Sequence, residues 1–503
     1  MLVLGTHHIY KITLFRYQLI MKKIIFVIFS LIFLSNNVVA NDSRINEFTK
    51  WLLDNGHTQY LKKNECEGCN DPYTRTQNCF DKDGKPKKQC WMDNQWRRSN
   101  SEPNEHNLDI NFYKYNEIPE FSKPNRDTAL YYLYRGQEVE SVNDRAGSTK
   151  SDNPYKFEIS LRAEDDKTLK KVRKAMNKTS MLSYLLYEDG KITIDEITPL
   201  DRFGILYDNN TVHTSASVGK SLVSYVTGHA ICEGYISGVD HKLNDWPLLE
   251  NTLFYDQKLI NLLNMAAGHQ QYANYNLKTS GKYPSNGNKN TIAFHMKDGV
   301  FKDSKKSNSK YQYTNLISSI VINYVWHKSD GNFQDLLNKV FKEKAEIEND
   351  VWFEKNNDET IRRENQNNKI KKEYEVRDED GPIRYSVQAT RYDYLRIAKA
   401  ILDDWQNDTC VGKYLKTIRE LRIPKNPQYK DDKSAFSNPK SYAGFFHTSY
   451  SGMVTKRNVM GMNGYGGQAI VIDFDKGRII VVNSITEDYS WKSLVHSVIK
   501  KGK

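Results

Sequence analysis

The sequence predicts an α+β fold, an α/β sandwich in which one antiparallel sheet is assembled from both ends of the chain around an inserted helical region. Near the start, Ser183-Tyr-Leu-Leu-Tyr187 and Lys191-Ile-Thr-Ile-Asp195 are strand-like runs joined by the turn signal Glu188-Asp189-Gly190. Near the end, Gln468 to Phe474 and Arg478 to Asn483 flank Asp475-Lys476-Gly477 in the same manner. Helical periodicities fill the interval between them. A doubly wound parallel sheet would alternate strand and helix throughout, which this chain does not do.

The chain has 503 residues, enough for a large core and for more than one domain. Residues 1–40 are set apart by a basic start at Met21-Lys22-Lys23, an apolar run from Ile24 to Leu34 and small residues at Val38-Val39-Ala40. This reads as a secretory signal peptide, with residues 1–20 preceding a better start at Met21. Its apolar run is shorter than the roughly 20 residues that span a bilayer, so export to the periplasm or medium is expected, without a lasting membrane anchor. These 40 residues carry four basic and no acidic side chains, so the formal charge falls from +11 to +7 without them. The remaining basic residues are interleaved with Asn, Asp and Glu, and no Arg-rich stripe marks a nucleic-acid partner.

Residues 41–165 read as an irregular N-terminal extension, polar and broken by Pro103, Pro119 and Pro124. Cys66, Cys69, Cys79 and Cys90 cluster there, which in an exported chain points to two disulfides with three possible pairings. A zinc site fits less well, because ten residues separate Cys79 from Cys90. Cys232 and Cys410 stand isolated. From residue 166 to 503 the main folded domain is expected. It opens with Leu169, Val172 and Met176 on one helical face and closes with Trp491, Leu494, Val495 and Val498 on another.

The chemistry centres on Thr214-Ser-Ala-Ser-Val-Gly-Lys-Ser-Leu-Val-Ser-Tyr225. Val218, Leu222, Val226 and Ala230 recur every four residues and Gly234 follows as a stop, so a buried helix begins at about Ser217. Ser217 and Lys220 then lie one turn apart on one side. The electropositive helix start and partial desolvation lower the lysine pKa and fit it to act as a base. The bare spacing recurs at Ser307…Lys310, Ser437…Lys440 and Ser497…Lys500, without that setting. The plain alternative is an N-cap serine beside a solvated lysine.

Ser-Val-Gly-Lys-Ser, followed by Ala230-Ile-Cys-Glu-Gly-Tyr-Ile236 and Gly238-Val-Asp240, resembles the active-site helix of the serine β-lactamase-like hydrolases, in particular the branch of esterases and 6-aminohexanoate-dimer hydrolase. Leu259 to Gly268 is similar to the segment before that family's substrate loop, and the resemblance runs from Met181 to Lys500. It implies Ser217 as nucleophile and Lys220 as base. Three segments carry a Tyr-x-Asn pattern, Tyr207-Asp-Asn209, Tyr272-Ala-Asn274 and Tyr313-Thr-Asn315, and only the last precedes a helix, marked by Ile317, Ile320, Val321, Tyr324 and Val325. Tyr313 is therefore assigned as proton-transfer partner, and Asn315 as a positioning residue.

The place of the family's Lys-Thr-Gly strand is taken by Gly464-Tyr465-Gly466-Gly467-Gln468. The resemblance implies that the Ser217 and Gln468 amides form an oxyanion hole, with Tyr465, Gly466 and Gly467 lining the substrate site. Absence of that motif's lysine weighs against a β-lactamase or D-alanyl-D-alanine peptidase. Thr390-x-x-Asp393 reads as a capping box ahead of a core helix bearing Tyr394, Ile397, Ala398, Ile401, Leu402 and Trp405.

The expected activity is that of an exported serine hydrolase cleaving a small ester or amide through an acyl-enzyme, with no cofactor or metal. The segments His269 to Asn290 and Ile347 to Arg377 are expected to select the substrate. An α/β-hydrolase elbow needs Gly-x-Ser-x-Gly, whereas this chain has Ser215-Ala-Ser-Val-Gly219, and no His-Glu-x-x-His occurs. His213 and His229 read as ordinary polar or core residues. A non-catalytic binding protein of the same fold is the alternative from another class.

Overall fold

The computed structural model describes residues 61–62, 109–110, 145–204, 207–249, 254–267, 311–355, 362–364, 370–373, 383–425, 439–449, 457–485, 494–495 and 498–499. The expected signal peptide, the four clustered cysteines, Tyr272-Ala-Asn274 and segment 269–290 lie outside the described residues. The chain divides into two compact units, Met1–Asn116 and Glu117–Lys503. In the first, strands β1 (Leu61–Lys62) and β2 (Asp109–Ile110) pair antiparallel.

The second unit is built on a large sheet made by the two hairpins read in the sequence. Strands β5 (Met181–Glu188) and β6 (Lys191–Ile197) pair around Asp189 and Gly190, whose φ values of 54° and 81° are those a tight hairpin turn demands. Strands β16 (Ala469–Asp473) and β17 (Arg478–Ser484) form the second hairpin, and β17 pairs antiparallel with β5. The two ends of the sequence thus meet in the middle of the sheet. Outward on one side lie β15 (Val459–Asn463), β14 (Phe446–Thr448), β13 (Ser441–Ala443) and β12 (Ile423–Pro424); on the other, beyond β6, lies β4 (Glu158–Ile159), which runs parallel to β6.

Side-chain alternation divides this sheet between two helical layers. Leu185, Tyr187, Ile470, Ile472, Ile479 and Val481 face the main core. Met181, Tyr184, Leu186, Val471, Ile480 and Val482 face the other way, against Val172 and Met176 of helix α1 (Asp166–Met176) and the C-terminal residues Leu494, Val495 and Ile499. The main core is filled by α2 (Val218–Cys232), α3 (Leu259–Leu263), α4 (Asn315–Lys328) and α5 (Phe333–Leu337), with α6 (Arg391–Gln406) and α7 (Cys410–Glu420) packed beside them.

A second sheet, absent from the sequence reading, joins β3 (Arg145–Ser148), β8 (Val351–Lys355), β11 (Ile383–Thr390) and β7 (Val212–Thr214) in the order β3-β8-β11-β7. Between β8 and β11 a small hairpin forms from β9 (Arg362–Glu364) and β10 (Ile370–Glu373). Both β3 and β4 fall within the stretch 41–165 read as extension, yet they pair with β8 and β6. The N-cap half of the expected box forms, Thr390 Oγ1 accepting from Asp393 N at the start of α6, while the Asp393 carboxylate accepts from Thr390 Oγ1 and from the backbone N–H groups of Glu348 and Asn349. Among the described residues no helix is long and apolar enough to cross a membrane.

Cys232 and Cys410, isolated in the sequence, form a disulfide across 178 positions that ties the end of α2 to the start of α7. Closing so long a loop in the unfolded chain stabilises a fold by about 2–5 kcal/mol. The Cys232→Ser/Cys410→Ser double variant should therefore unfold at a distinctly lower temperature. An unchanged midpoint, with both thiols alkylated in the unreduced wild type, would contradict the bridge.

Candidate active site

Strand β7 leads directly into the site. Ser215 extends its pairing with β11, its N donating to Val387 O and its Oγ accepting from Val387 N, both at 2.7 Å. The Tyr394 hydroxyl braces the same junction at the carbonyls of His213 (2.6 Å) and Val387 (2.9 Å). The chain then turns sharply through Ala216, whose φ of 45° lies in the left-handed region, and enters α2. Such strain in a residue with a Cβ persists only where the surroundings impose it. Ser217 thereby lands at the N-cap position of a buried helix.

Ser217 does not cap that helix with its side chain. Its Oγ instead lies 2.9 Å from Lys220 Nζ, and Nζ lies 2.8 Å from Asn315 Oδ1. Lys220 is wholly buried, and no carboxylate pairs with it among the described residues. Burial alone therefore drives its pKa well below the usual lysine value, towards a neutral amine. The geometry answers the N-cap alternative on both counts, since the serine is uncommitted to the backbone and the lysine is not solvated.

Tyr313 and Asn315 arrive together at the start of α4, where Thr314 Oγ1 caps the helix by accepting from Leu316 N. Their junction is the helix start that the sequence reading required. Tyr313 is 38% exposed, its ring centroid lies 4.9 Å from Lys220 Nζ, and burial raises its pKa, with Ser217 acting in the opposite direction. Two helix N-termini, of α2 and α4, thus meet at one serine hydroxyl, and both favour negative charge there.

The opposite wall is the turn between β15 and β16. Gly464 N donates to Gln468 O, and Gly467 N to Gly464 O. Gly466 and Gly467 have φ values of 80° and 89°, which a residue with a side chain adopts only with strain. Gly464 is pressed against the nucleophile turn: a Cβ there would stand 2.3 Å from Ser215 O and 3.3 Å from Ser217 N. The Gln468 side chain is turned away and held by Ser484 and Asn483, so only its backbone faces the question of substrate. Tyr465 is 58% exposed beside this turn.

The other sequence candidates have structural employment. Asn209 accepts from Arg391 Nη1, and Tyr207 stacks on His213. Burial lowers the pKa of His213 to about 3 and that of His229 to about 4, so both are neutral core residues. Sequence reasoning missed Tyr385, in the middle of β11. Its ring centroid lies 3.4 Å from Lys220 Nζ, and its pKa is raised to about 12, chiefly by burial, with Ser217 acting in the opposite direction. Nothing in the sequence marks it, because a tyrosine in a strand is an ordinary packing residue.

No protein-family model matches the chain, and no curated protein matches it. Solved structures do. A Bacillus anthracis protein described as a 6-aminohexanoate-dimer hydrolase aligns at 12% identity over 77% of this chain and 98% of its own, with a TM-score of 0.49. D-amino acid amidase from Ochrobactrum anthropi SV3, complexed with L-phenylalanine, aligns at 12% identity over 67% of this chain and 98% of its own (TM-score 0.46). FmtA from Staphylococcus aureus aligns at 14% identity over 75% and 97% (TM-score 0.41).

Gly464→Ala tests the packing of the two turns. The added methyl must displace either the Ser217 turn or the Gly464–Gln468 turn, and a shift of that kind is expected to slow serine labelling about 10²-fold with the fold retained. Unchanged labelling would show that the two turns need not touch.

Proposed function

We propose that this chain is an exported serine hydrolase that cleaves an ester or amide bond through an acyl-enzyme intermediate. One observation carries the reading: a fully buried lysine, without a carboxylate partner among the described residues, holds its amine 2.9 Å from a serine hydroxyl at a helix start. A neutral amine in that place is a base, whereas an ordinary surface lysine is protonated.

In the acylation step Ser217 Oγ attacks the substrate carbonyl carbon while its proton passes to Lys220 Nζ. The carbonyl electron pair moves onto oxygen, where the Ser217 and Gln468 amides are the proposed donors. Tyr313, protonated and close to Ser217, hands a proton to the leaving alkoxide or amine and is resupplied from Lys220. Water then repeats the sequence on the acyl-enzyme with Lys220 again as base. Asn315 keeps the amine aimed by accepting one of its N–H groups. The disulfide between Cys232 and Cys410 supports an oxidising compartment, in keeping with the signal peptide read at residues 21–40.

The mature chain should react with a fluorophosphonate probe and turn over p-nitrophenyl acetate or butyrate, and Ser217→Ala should abolish both. A wild type that neither labels nor turns over any ester would favour a ligand-binding role for the same cleft.

Lys220→Met should lower turnover by roughly 10²–10⁴-fold, the usual share of an acid–base group. It should also raise the unfolding midpoint. The unfolded lysine binds a proton below pH 10.5, and the folded one releases it, so the wild type loses stability as pH falls through that window. The gain in Lys220→Met is accordingly larger at pH 7 than at pH 10, as thermal melts at both values will read. A gain independent of pH would mean that Lys220 is charged in the fold.

A further inference from the structure

The surroundings of Lys220 assign a place to each group on its nitrogen. A neutral amine has two N–H bonds and one lone pair. One N–H goes to Asn315 Oδ1 at 2.8 Å. The ring of Tyr385 lies with its centroid 3.4 Å from Nζ, the position of an N–H···π contact, while the Tyr313 ring is farther off at 4.9 Å. With both N–H bonds committed, the lone pair is left for the Ser217 hydroxyl at 2.9 Å. The phenols of Tyr313 and Tyr385 both lie close enough to Ser217 for it to oppose the rise in pKa that burial causes in each.

We propose that Tyr385 is a second catalytic phenol of this site: its ring face takes the second N–H of Lys220, and its hydroxyl donates to Ser217 Oγ, so that the amine lone pair has the serine proton as its target. This rests on the acyl-enzyme reading above and adds a residue that the reading did not contain.

The division of labour between the phenols follows from their settings. When Oγ attacks, its O–H bond breaks, the proton joins the Lys220 lone pair, the bonding pair stays on oxygen, and one oxygen pair becomes the bond to carbonyl carbon. Oγ keeps two lone pairs throughout, so the phenol that serves the leaving group is the one free to move. Tyr313 is partly exposed and sits at the mouth of α4, whereas Tyr385 is built into β11, with its carbonyl against α2 where a Cβ at Gly219 would stand only 2.0 Å away. Tyr313 is the phenol that turns to the leaving group. Tyr385 stays, and its ring face then steadies the new Lys220 ammonium, since an aromatic face attracts a cation.

Two variants separate the ring from the hydroxyl. Tyr385→Phe keeps the ring and should slow fluorophosphonate labelling and ester kcat/KM about ten- to hundredfold, the worth of a hydrogen bond to a developing charge, with the acid limb of the pH profile unmoved. Tyr385→Leu admits water to Lys220 and should move that limb to higher pH. Trace acetylation of Lys220 by acetic anhydride, read by mass spectrometry across pH, follows the amine without any turnover. In this assay Tyr385→Leu should shift Lys220 reactivity upward in pH while Tyr385→Phe should not. Wild-type rates in Tyr385→Phe, or an unshifted acetylation profile in a folded Tyr385→Leu, overturns the proposal. An inert wild type with the acetylation shift intact would instead defeat the hydrolase reading and leave the hold of Tyr385 on Lys220 standing.

Discussion

A lysine held out of water, with no carboxylate beside it among the described residues, has its pKa driven well down, and the core around Lys220 holds it in that state. Val218, Leu222, Val223, Tyr225 and Val226 of the same helix are all buried, so α2 cannot rotate its amine into solvent. Asn315 supplies a neutral acceptor where a carboxylate would have kept the amine charged. The low dielectric of the interior penalises the ammonium and leaves the amine. The two helix N-termini add to the penalty, because both disfavour positive charge at the place where they favour a developing oxyanion.

The remaining architecture serves to bring three chain segments to that amine. Pairing of β17 with β5 closes the large sheet and fixes the hairpin of β16 and β17, which sets the Gly464–Gln468 turn beside Ser217. The smaller sheet does the same for the other side, since β7 delivers the serine and its neighbour β11 delivers Tyr385. Close approach is possible at these contacts because Gly219 and Gly464 present no side chain to Tyr385 O and Ser215 O. Removal of bulk at those two points and the left-handed turn at Ala216 are the local costs of holding Ser217 in one place.

Much of this was legible because it is local. The hairpins announce themselves through alternation and through Asp189-Gly190 and Lys476-Gly477, and the nucleophile helix through its apolar repeat and its glycine stop. Tyr313 was separable from Tyr207 because a helix follows it. The second sheet was not legible: β8 has only five residues, and a long polar stretch separates it from β11, so neither strand has a hairpin partner nearby in sequence. The pairing of Cys232 with Cys410 depends on α2 and α7 lying end to end, which no spacing encodes. Tyr385 was hidden for the same reason, since its function comes from the helix packed across its strand.

The claim on which the account turns is that Lys220 is a neutral amine in the folded protein. The most direct measurement is an NMR titration of the lysine ε-carbons in the labelled wild type, with Lys220 identified by its loss in Lys220→Met. The account predicts one lysine that titrates well below the ordinary value of 10.5 and returns to it on unfolding. A Lys220 signal that titrates with the surface lysines in the folded state would contradict it.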